Sequence, residues 1–247
     1  MKKPFIAFIV IAILAAACDM LPQKAADKRL ILWQITSECV KNQTDNNRPG
    51  PCEFVDLKQG YVVLKDIAGP TQYLVIATQR ITGIESPLLL ADNAPNYWEA
   101  AWASRKYMLA RLGRDLARND IGMAVNAPAA RTQDQLHIHI DCVKPEVIKA
   151  LGDYKDKLNH DWADLPFKLA GHSYQAMRIY SEDLHGEAPF DLLAVEGDMQ
   201  NKTLVIVGEV FARNVNGFIL LSDTTDLAKG DLGSGESLLD HSCAIAK

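Results

Sequence analysis

Apolar and polar positions alternate most strictly in residues 131–142, RTQDQLHIHIDC. Side chains leave a strand alternately to its two faces, so Leu136, Ile138 and Ile140 enter a core together while Gln135, His137 and His139 share the opposite face. Neighbours on one face stand about 7 Å apart at Cα, which lets two imidazoles reach one phosphate or one metal ion. Three uses fit the pair: a half-exposed strand, the start of a zinc or iron centre completed by a third protein ligand, or nucleophilic catalysis by one ring. Two of the six histidines falling at i and i+2 weighs against the first use.

The same patterning places the neighbouring elements. Leu30, Leu32, Trp33 and Ile35 predict a helix leading to Cys39, where the folded domain starts. Two β-branched-rich runs at 61–65 and 72–78, split by Ala-Gly-Pro, predict a hairpin with Asp66 at its tip. Trp98, Ala101, Trp102, Met108, Leu109 and Leu112 recur at three- and four-residue spacing and predict a long amphipathic helix over 96–116, with Pro95 near its start. A strand IGMAVN, a small-residue loop APAART and the histidine strand follow. Loops leaving strands collect binding groups, so Asn126, Arg131 and Thr132 are placed to meet whatever the histidines meet. Beyond these, a helix is expected at 146–158, strands near 167–179, 190–195, 203–211 and 217–222, and a short terminal helix over ESLLDHSC. There is no second His-x-His, no fixed-period repeat and no linker, so residues 31–247 read as one α+β domain without a duplicated site.

Composition narrows the class. The 247 residues are 48% hydrophobic, ordinary for a packed core, and carry a formal net charge of −5. An acidic chain lacks the basic footprint of a nucleic-acid-wrapping surface, while local Arg and Lys still suit a phosphorylated small molecule. Residues 1–17 have a short basic start, an apolar run from Phe5 to Ala17 and small residues before Cys18, the layout of a secretory signal. The run is short for a helix crossing ~30 Å of hydrocarbon at ~1.5 Å per residue, so it reads as a signal peptide or a marginal anchor. Its ending LAAAC resembles a bacterial lipoprotein cleavage box with Cys18 as the lipidation candidate, although Leu14 lies one place farther from the cysteine than that box prefers. Asp19 resembles an inner-membrane retention signal. Residues 18–30 then read as a juxtamembrane spacer, and the remaining chain as lying outside the cytoplasm at a membrane surface.

Export makes Cys39, Cys52, Cys142 and Cys243 candidates for two disulfides. Three pairings are possible. The polar, Pro/Gly-rich excursion CVKNQTDNNRPGPC favours closure of Cys39 on Cys52, which leaves Cys142 for Cys243.

Two segments together carry a family resemblance. VVLKDIAGPTQYLVIATQRI resembles the amino-terminal hairpin of histidine-triad hydrolases and transferases, and VNAPAARTQDQLHIHID resembles their Asn, small-residue loop and His-x-His-x-His strand. Adding the anchor, CVKNQ and GPC, RITGIESPLL, LAGHSYQAMRI and DHSC, nearly the whole chain resembles the bacterial CDP-diacylglycerol pyrophosphatase family. The resemblance implies a histidine-triad-like antiparallel sheet with flanking helices. It also implies hydrolysis of CDP-diacylglycerol to CMP and phosphatidate at the periplasmic face of the inner membrane, with no cofactor and no required metal. Position by position, it makes His137 the nucleophile on the CMP phosphorus and has His139 hold the non-bridging oxygens. Gln135 stands where the family has a first histidine. Asp66 matches a ribose-contacting carboxylate and Asn126 a polar group ahead of the catalytic loop, while Lys65, Arg131, Thr132 and His172 are further candidates for contacting substrate.

The chemistry has its own logic. A shielded diphosphate favours attack by a neutral imidazole over a carboxylate, and donors from His139, the Gln135 amide and loop N–H groups would stabilise the charge that builds. The alternatives are CMP transfer to an acceptor other than water, a non-catalytic nucleotide- or lipid-binding lipoprotein, and a metal-dependent phosphoesterase, which excess EDTA would silence. Fractionation is expected to place the full-length protein with membranes, and a chain starting near Ala26 is expected to be soluble and still active; unprocessed full-length protein in the cytosol would contradict the export reading.

Overall fold

In the computed structural model, which describes residues 28–247, the histidine run becomes an interior strand of a ten-stranded sheet. The strands are β1 (Phe54–Asp56), β2 (Tyr61–Lys65), β3 (Tyr73–Ala77), β4 (Ile121–Val125), β5 (His137–Val143), β6 (Ala163–Leu169), β7 (His172–Ile179), β8 (Lys202–Phe211), β9 (Val215–Thr224) and β10 (Leu239–Asp240). Their order is β1-β2-β3-β5-β4-β8-β9-β7-β6, with β10 added on β5 and every pairing antiparallel. Among the described residues four α-helices cover the faces: α1 (Ile31–Asn46), α2 (Tyr97–Leu112), α3 (Pro145–Tyr154) and α4 (Pro189–Ala194). None of the described helices is long and apolar enough to cross a membrane. The leader, Cys18 and most of the expected spacer lie outside the described residues.

Period-two alternation decides which helix meets which face. Ile138 and Ile140 point to the side where α2 lays Trp98, Ala101, Trp102 and Met108, and α4 adds Phe190 and Leu193 to the same core. Trp102 meets Phe218 edge-on at 4.9 Å and is covered by the Arg118 guanidinium; buried Trp side chains of this kind carry roughly 3–5 kcal/mol each when truncated to alanine. On the other face, α1 packs Leu32 and Cys39 over Leu74 and Ile76, while α3 packs Val147 and Leu151 over Val205, Val207, Ile219 and Leu221. His137 and His139 are the register partners of Ile76 and Leu74, so they look into the gap between α1 and α3.

The connectivity contains a repeat that no sequence period announces. In residues 61–143 a hairpin, a helix and two strands are arranged so that the last strand sits between the hairpin and the third; residues 163–224 follow the same path. The two units meet antiparallel at β4 and β8, with Ala124 opposite Val205. Matching β4 to β8 places Asp141, partner of Gly122, in the position of Asp223, partner of Thr203, and leaves Ile219 and Leu221 where the first unit has His137 and His139.

Several expected elements differ. The 190–195 segment is helix α4, because Pro189 sets its first turn and the i,i+3 pair Phe190 and Leu193 turns into one core, with Phe190 against Trp98. The 167–179 strand is the hairpin β6–β7, turned at Ala170 and Gly171, both at positive φ. Helix α2 stops at Leu112 because Gly113 takes the left-handed cap conformation, four residues short of the expectation. Helix α1 runs through Cys39 to Asn46, so half of the excursion read as a loop is helical. The expected terminal helix is a single 3-10 turn, Gly235–Leu238, followed by β10, since pairing with β5 satisfies this backbone better than an isolated short helix.

Both disulfides form as expected, Cys39 to Cys52 and Cys142 to Cys243, closing separations of 13 and 101 residues. In the chain-entropy account, loops of about 15 and about 100 residues gain ~3 and ~4.7 kcal/mol. Replacing Cys142 and Cys243 by serine is therefore expected to lower the melting temperature more than replacing Cys39 and Cys52, and to reduce turnover as well, because the longer loop carries site residues. Equal losses from the two pairs, read by calorimetry and initial rates, would contradict this.

Candidate active site

The site is the stretch of β5 from His137 to Asp141 on the face it shares with Leu74 and Ile76. His137, His139 and Asp141 occupy alternate positions there, all three buried, and the two imidazoles meet edge-on with centroids 4.8 Å apart. His137 Nδ1 lies 2.6 Å from the Gln135 carbonyl oxygen. A carbonyl only accepts, so Nδ1 carries the proton and a neutral ring presents the Nε2 lone pair. Burial, together with the neighbouring His139, pushes the His137 pKa down to about 4 against the carbonyl's opposing pull. The ring is neutral across the physiological range.

His139 is also held below its ordinary value by burial, with Glu236 and Asp66 pulling the other way. Its Nδ1 lies 2.7 Å from the Gln72 amide nitrogen, 3.3 Å from Glu236 Oε1 and 3.9 Å from Asp66 Oδ2. The same Gln72 nitrogen reaches Asp66 at 2.7 Å and Glu236 at 3.0 Å, so one amide knits the hairpin, β5 and the carboxy-terminal segment. His139 Nε2 is buried and has no partner within the protein.

Asp141 has no exposed surface and accepts from Thr71 at 2.7 Å and from its neighbouring backbone N–H at 2.9 Å. Its other oxygen lies 3.0 Å from His241 Nδ1, and His241 Nε2 lies 3.3 Å from Glu236. Hydrogen bonds to Asp141 and Glu236 outweigh burial and raise the His241 pKa to about 10, so the ring is an imidazolium. Burial works to raise the Glu236 carboxyl, but His241, the His139 ring and the Gln72 and Asn126 amides prevail and hold it well below the usual carboxylate range. Gly69 lets the hairpin tip lie against His241: its φ is +60, and a Cβ there would collide with the His241 backbone carbonyl.

The sequence-derived candidates divide. His137, His139 and Asp66 come together with Asn126, whose amide donates to Glu236 Oε2 at 3.2 Å and whose oxygen accepts the Glu236 N–H at 3.1 Å. Gln135 does not turn its amide toward the imidazoles: both of its N–H donors go to the Ala77 and Gln79 carbonyls, and its oxygen accepts from Arg80. Arg131 is tied to Glu85 at 2.6 Å and Asp134 at 3.1 Å, and Thr132 is exposed on the loop. Lys65 shares the Ile140 side of the sheet and caps the Asp66 and Gly69 carbonyls. His172 belongs to the second unit and bonds Asp231. Gln72, Asp141, Glu236 and His241 were not singled out from sequence; Asp141 continues the alternation one step past His139, and Cys243 carries His241 to β5 through its bond to Cys142.

Donor atoms of Asp66, His139 and Glu236 lie within 4.8 Å of one another, near enough for a cation. Such an ion would compete with the Gln72 amide and the His241 imidazolium, which already serve these carboxylates. What the arrangement offers unaided is a neutral nucleophilic nitrogen beside a second ring whose Nε2 has no partner within the protein.

Two pH effects follow. The acid limb of kcat/KM is expected near pH 4, where His137 protonates, instead of near the ordinary histidine value of ~6.5; a pH–rate profile checks it. For stability the two rings act oppositely. His137 is depressed on folding, so below pH ~6.5 the unfolded chain takes up a proton that the fold rejects, and stability falls toward pH 4. His241 is raised, so its contribution is whole below pH ~6.5 and is lost as pH climbs to about 10. Melting curves of His241→Asn are expected to show a shallower alkaline decline than the parent.

The family model for CDP-diacylglycerol pyrophosphatase matches residues 27–247. The curated CDP-diacylglycerol pyrophosphatase of Yersinia pestis is 40% identical over 216 residues, covering 87% of this chain and 84% of that protein. With a match spanning all of the described sheet and its site, the chain belongs to the CDP-diacylglycerol pyrophosphatase family.

Proposed function

We propose that the protein hydrolyses CDP-diacylglycerol to CMP and phosphatidate by two displacements at one phosphorus, with His137 as the covalent catalyst. Family membership supports the reaction. The observation that carries the mechanism is the 2.6 Å contact of His137 Nδ1 with the Gln135 carbonyl, which directs the ring's lone pair to Nε2.

In the first step Nε2 attacks the phosphorus bearing cytidine, the N–P bond forms and the anhydride P–O bond breaks with phosphatidate leaving. Water then attacks the same phosphorus and breaks the N–P bond; CMP departs, and His137 returns to its neutral form after the proton passes to solvent. His139 Nε2–H, buried and otherwise unpartnered, is the donor for the equatorial oxygens as charge accumulates. Gln72 and Glu236 hold the His139 ring in place. Asp66, on the hairpin, meets the ribose. The fold reads as histidine-triad-like, with Gln135 substituting a backbone bracing role for that of a first histidine. Ile67 is fully exposed one residue from Asp66, which suits a site facing a lipid surface on the periplasmic side of the inner membrane.

His137→Ala is expected to abolish CMP release, whereas His139→Ala is expected to slow it by about 10²–10³-fold, the range for loss of one transition-state donor. Rapid quench into base is expected to trap labelled CMP on the peptide containing His137. Labelling on His139 alone reverses the roles, and inversion at a chiral phosphorus excludes both.

A further inference from the structure

The second four-strand unit carries its own polar cluster at the place that matches the inner end of the active site. Where register puts Asp141 in the first unit it puts Asp223 in the second. Asp223 is joined by His172, at the start of β7, and by Asp231, on the loop that follows β9. The three line a cavity of about 580 Å³, and one donor atom from each lies within 4.8 Å of the other two.

The hydrogen bonding of this cluster is incomplete. Asp231 accepts from the Gly233 N–H at 2.9 Å and contacts His172 Nδ1 at 2.6 Å. Asp223 is 6% exposed; one of its oxygens accepts the Thr224 N–H at 2.7 Å, and the other, Oδ2, is buried with no partner. Among the described residues no Lys or Arg pairs with Asp223 or Asp231, and Lys229, which borders the cavity, is paired with Asp226 at 2.8 Å. The unpartnered Oδ2 of Asp223 is buried in the cavity wall close to Asp231 and His172, a place suited to a cation.

We propose that His172, Asp223 and Asp231 bind one divalent transition-metal ion of the zinc class, outside the catalytic groove. One imidazole and two carboxylates suit zinc and its first-row neighbours; calcium takes six to eight oxygens, and magnesium keeps an octahedral shell of oxygen. Ligand atoms ~2.1 Å from a tetrahedral ion stand ~3.4 Å apart, so the His172–Asp231 contact need open by less than ~1 Å. Water from the open cavity supplies the fourth position. The ion holds β7, β9 and the 226–233 loop together. That loop accepts the Ala127 N–H on the Gly233 carbonyl at 3.0 Å and runs directly into Glu236, so the ion anchors the root of the segment that completes the active site.

The test uses untagged full-length protein in detergent, stripped with chelator, dialysed and titrated calorimetrically with zinc chloride. One equivalent is expected to bind and to raise the melting temperature. Asp223→Asn, which keeps the side-chain shape, and His172→Ala are expected to weaken binding at least tenfold and to remove the thermal shift, with near-ultraviolet circular dichroism reporting that each is folded. Asp231→Asn provides a third variant if either fails to fold. Glu236→Gln and His139→Ala are expected to leave the stoichiometry and affinity unchanged. Absence of binding in the parent, unaltered affinity in a folded Asp223→Asn or His172→Ala, or loss confined to Glu236→Gln or His139→Ala overturns the proposal.

Discussion

A wholly buried carboxylate needs a counter-charge, and in this protein Asp141 finds it in His241. Most of the site depends on that pairing. His241 reaches β5 only because β10 pairs with the strand and Cys243 is bonded to Cys142. Once there, its second nitrogen holds Glu236, and Glu236 together with Gln72 sets the position of the His139 ring. The charge balance is internal: the imidazolium lies between two carboxylates.

The sheet gives the two histidines different environments, although they share one face of one strand. His137 is braced by a carbonyl two residues back along its own chain, a contact that selects its tautomer without any side chain. His139 is braced by side chains from the hairpin and from the carboxy-terminal segment. Symmetric connectivity has thus produced an asymmetric molecule. In the second unit Ile219 and Leu221 take the places of the histidines and are covered by α3, while that unit's polar residues lie toward the sheet edge.

How far the sequence discloses this depends on whether a contact is local. The alternation from Leu136 to Ile140 shows the strand, its buried face and the histidine pair, and spacing in the Trp98–Leu112 region shows α2, with an expected end four residues too far. Asp141 is equally local, continuing the same alternation one step past His139, but an acidic residue there does not by itself announce its pairing with His241. Glu236, His241 and Gln72 are separated from β5 by about 60 to 100 residues, and nothing in their immediate surroundings marks them; only the Cys142–Cys243 pairing points to His241. Gln135 misled for the opposite reason: its position in the alternation is right, but Arg80 and the carbonyls at the end of β3 claim its amide. Segment 190–195 is short enough that periods of two and of three to four are not separable without knowing that Trp98 is its partner.

Chain order matters here in a further way. Synthesis proceeds from β1 toward β10, so every strand of both units, and both candidate catalytic imidazoles, exist before Glu236 and His241 have been made. A nascent chain can close its sheet while Asp141 is still uncompensated and His139 still lacks its carboxylate. The candidate site is therefore complete only when the final dozen residues, with Glu236, His241 and Cys243, have joined the sheet.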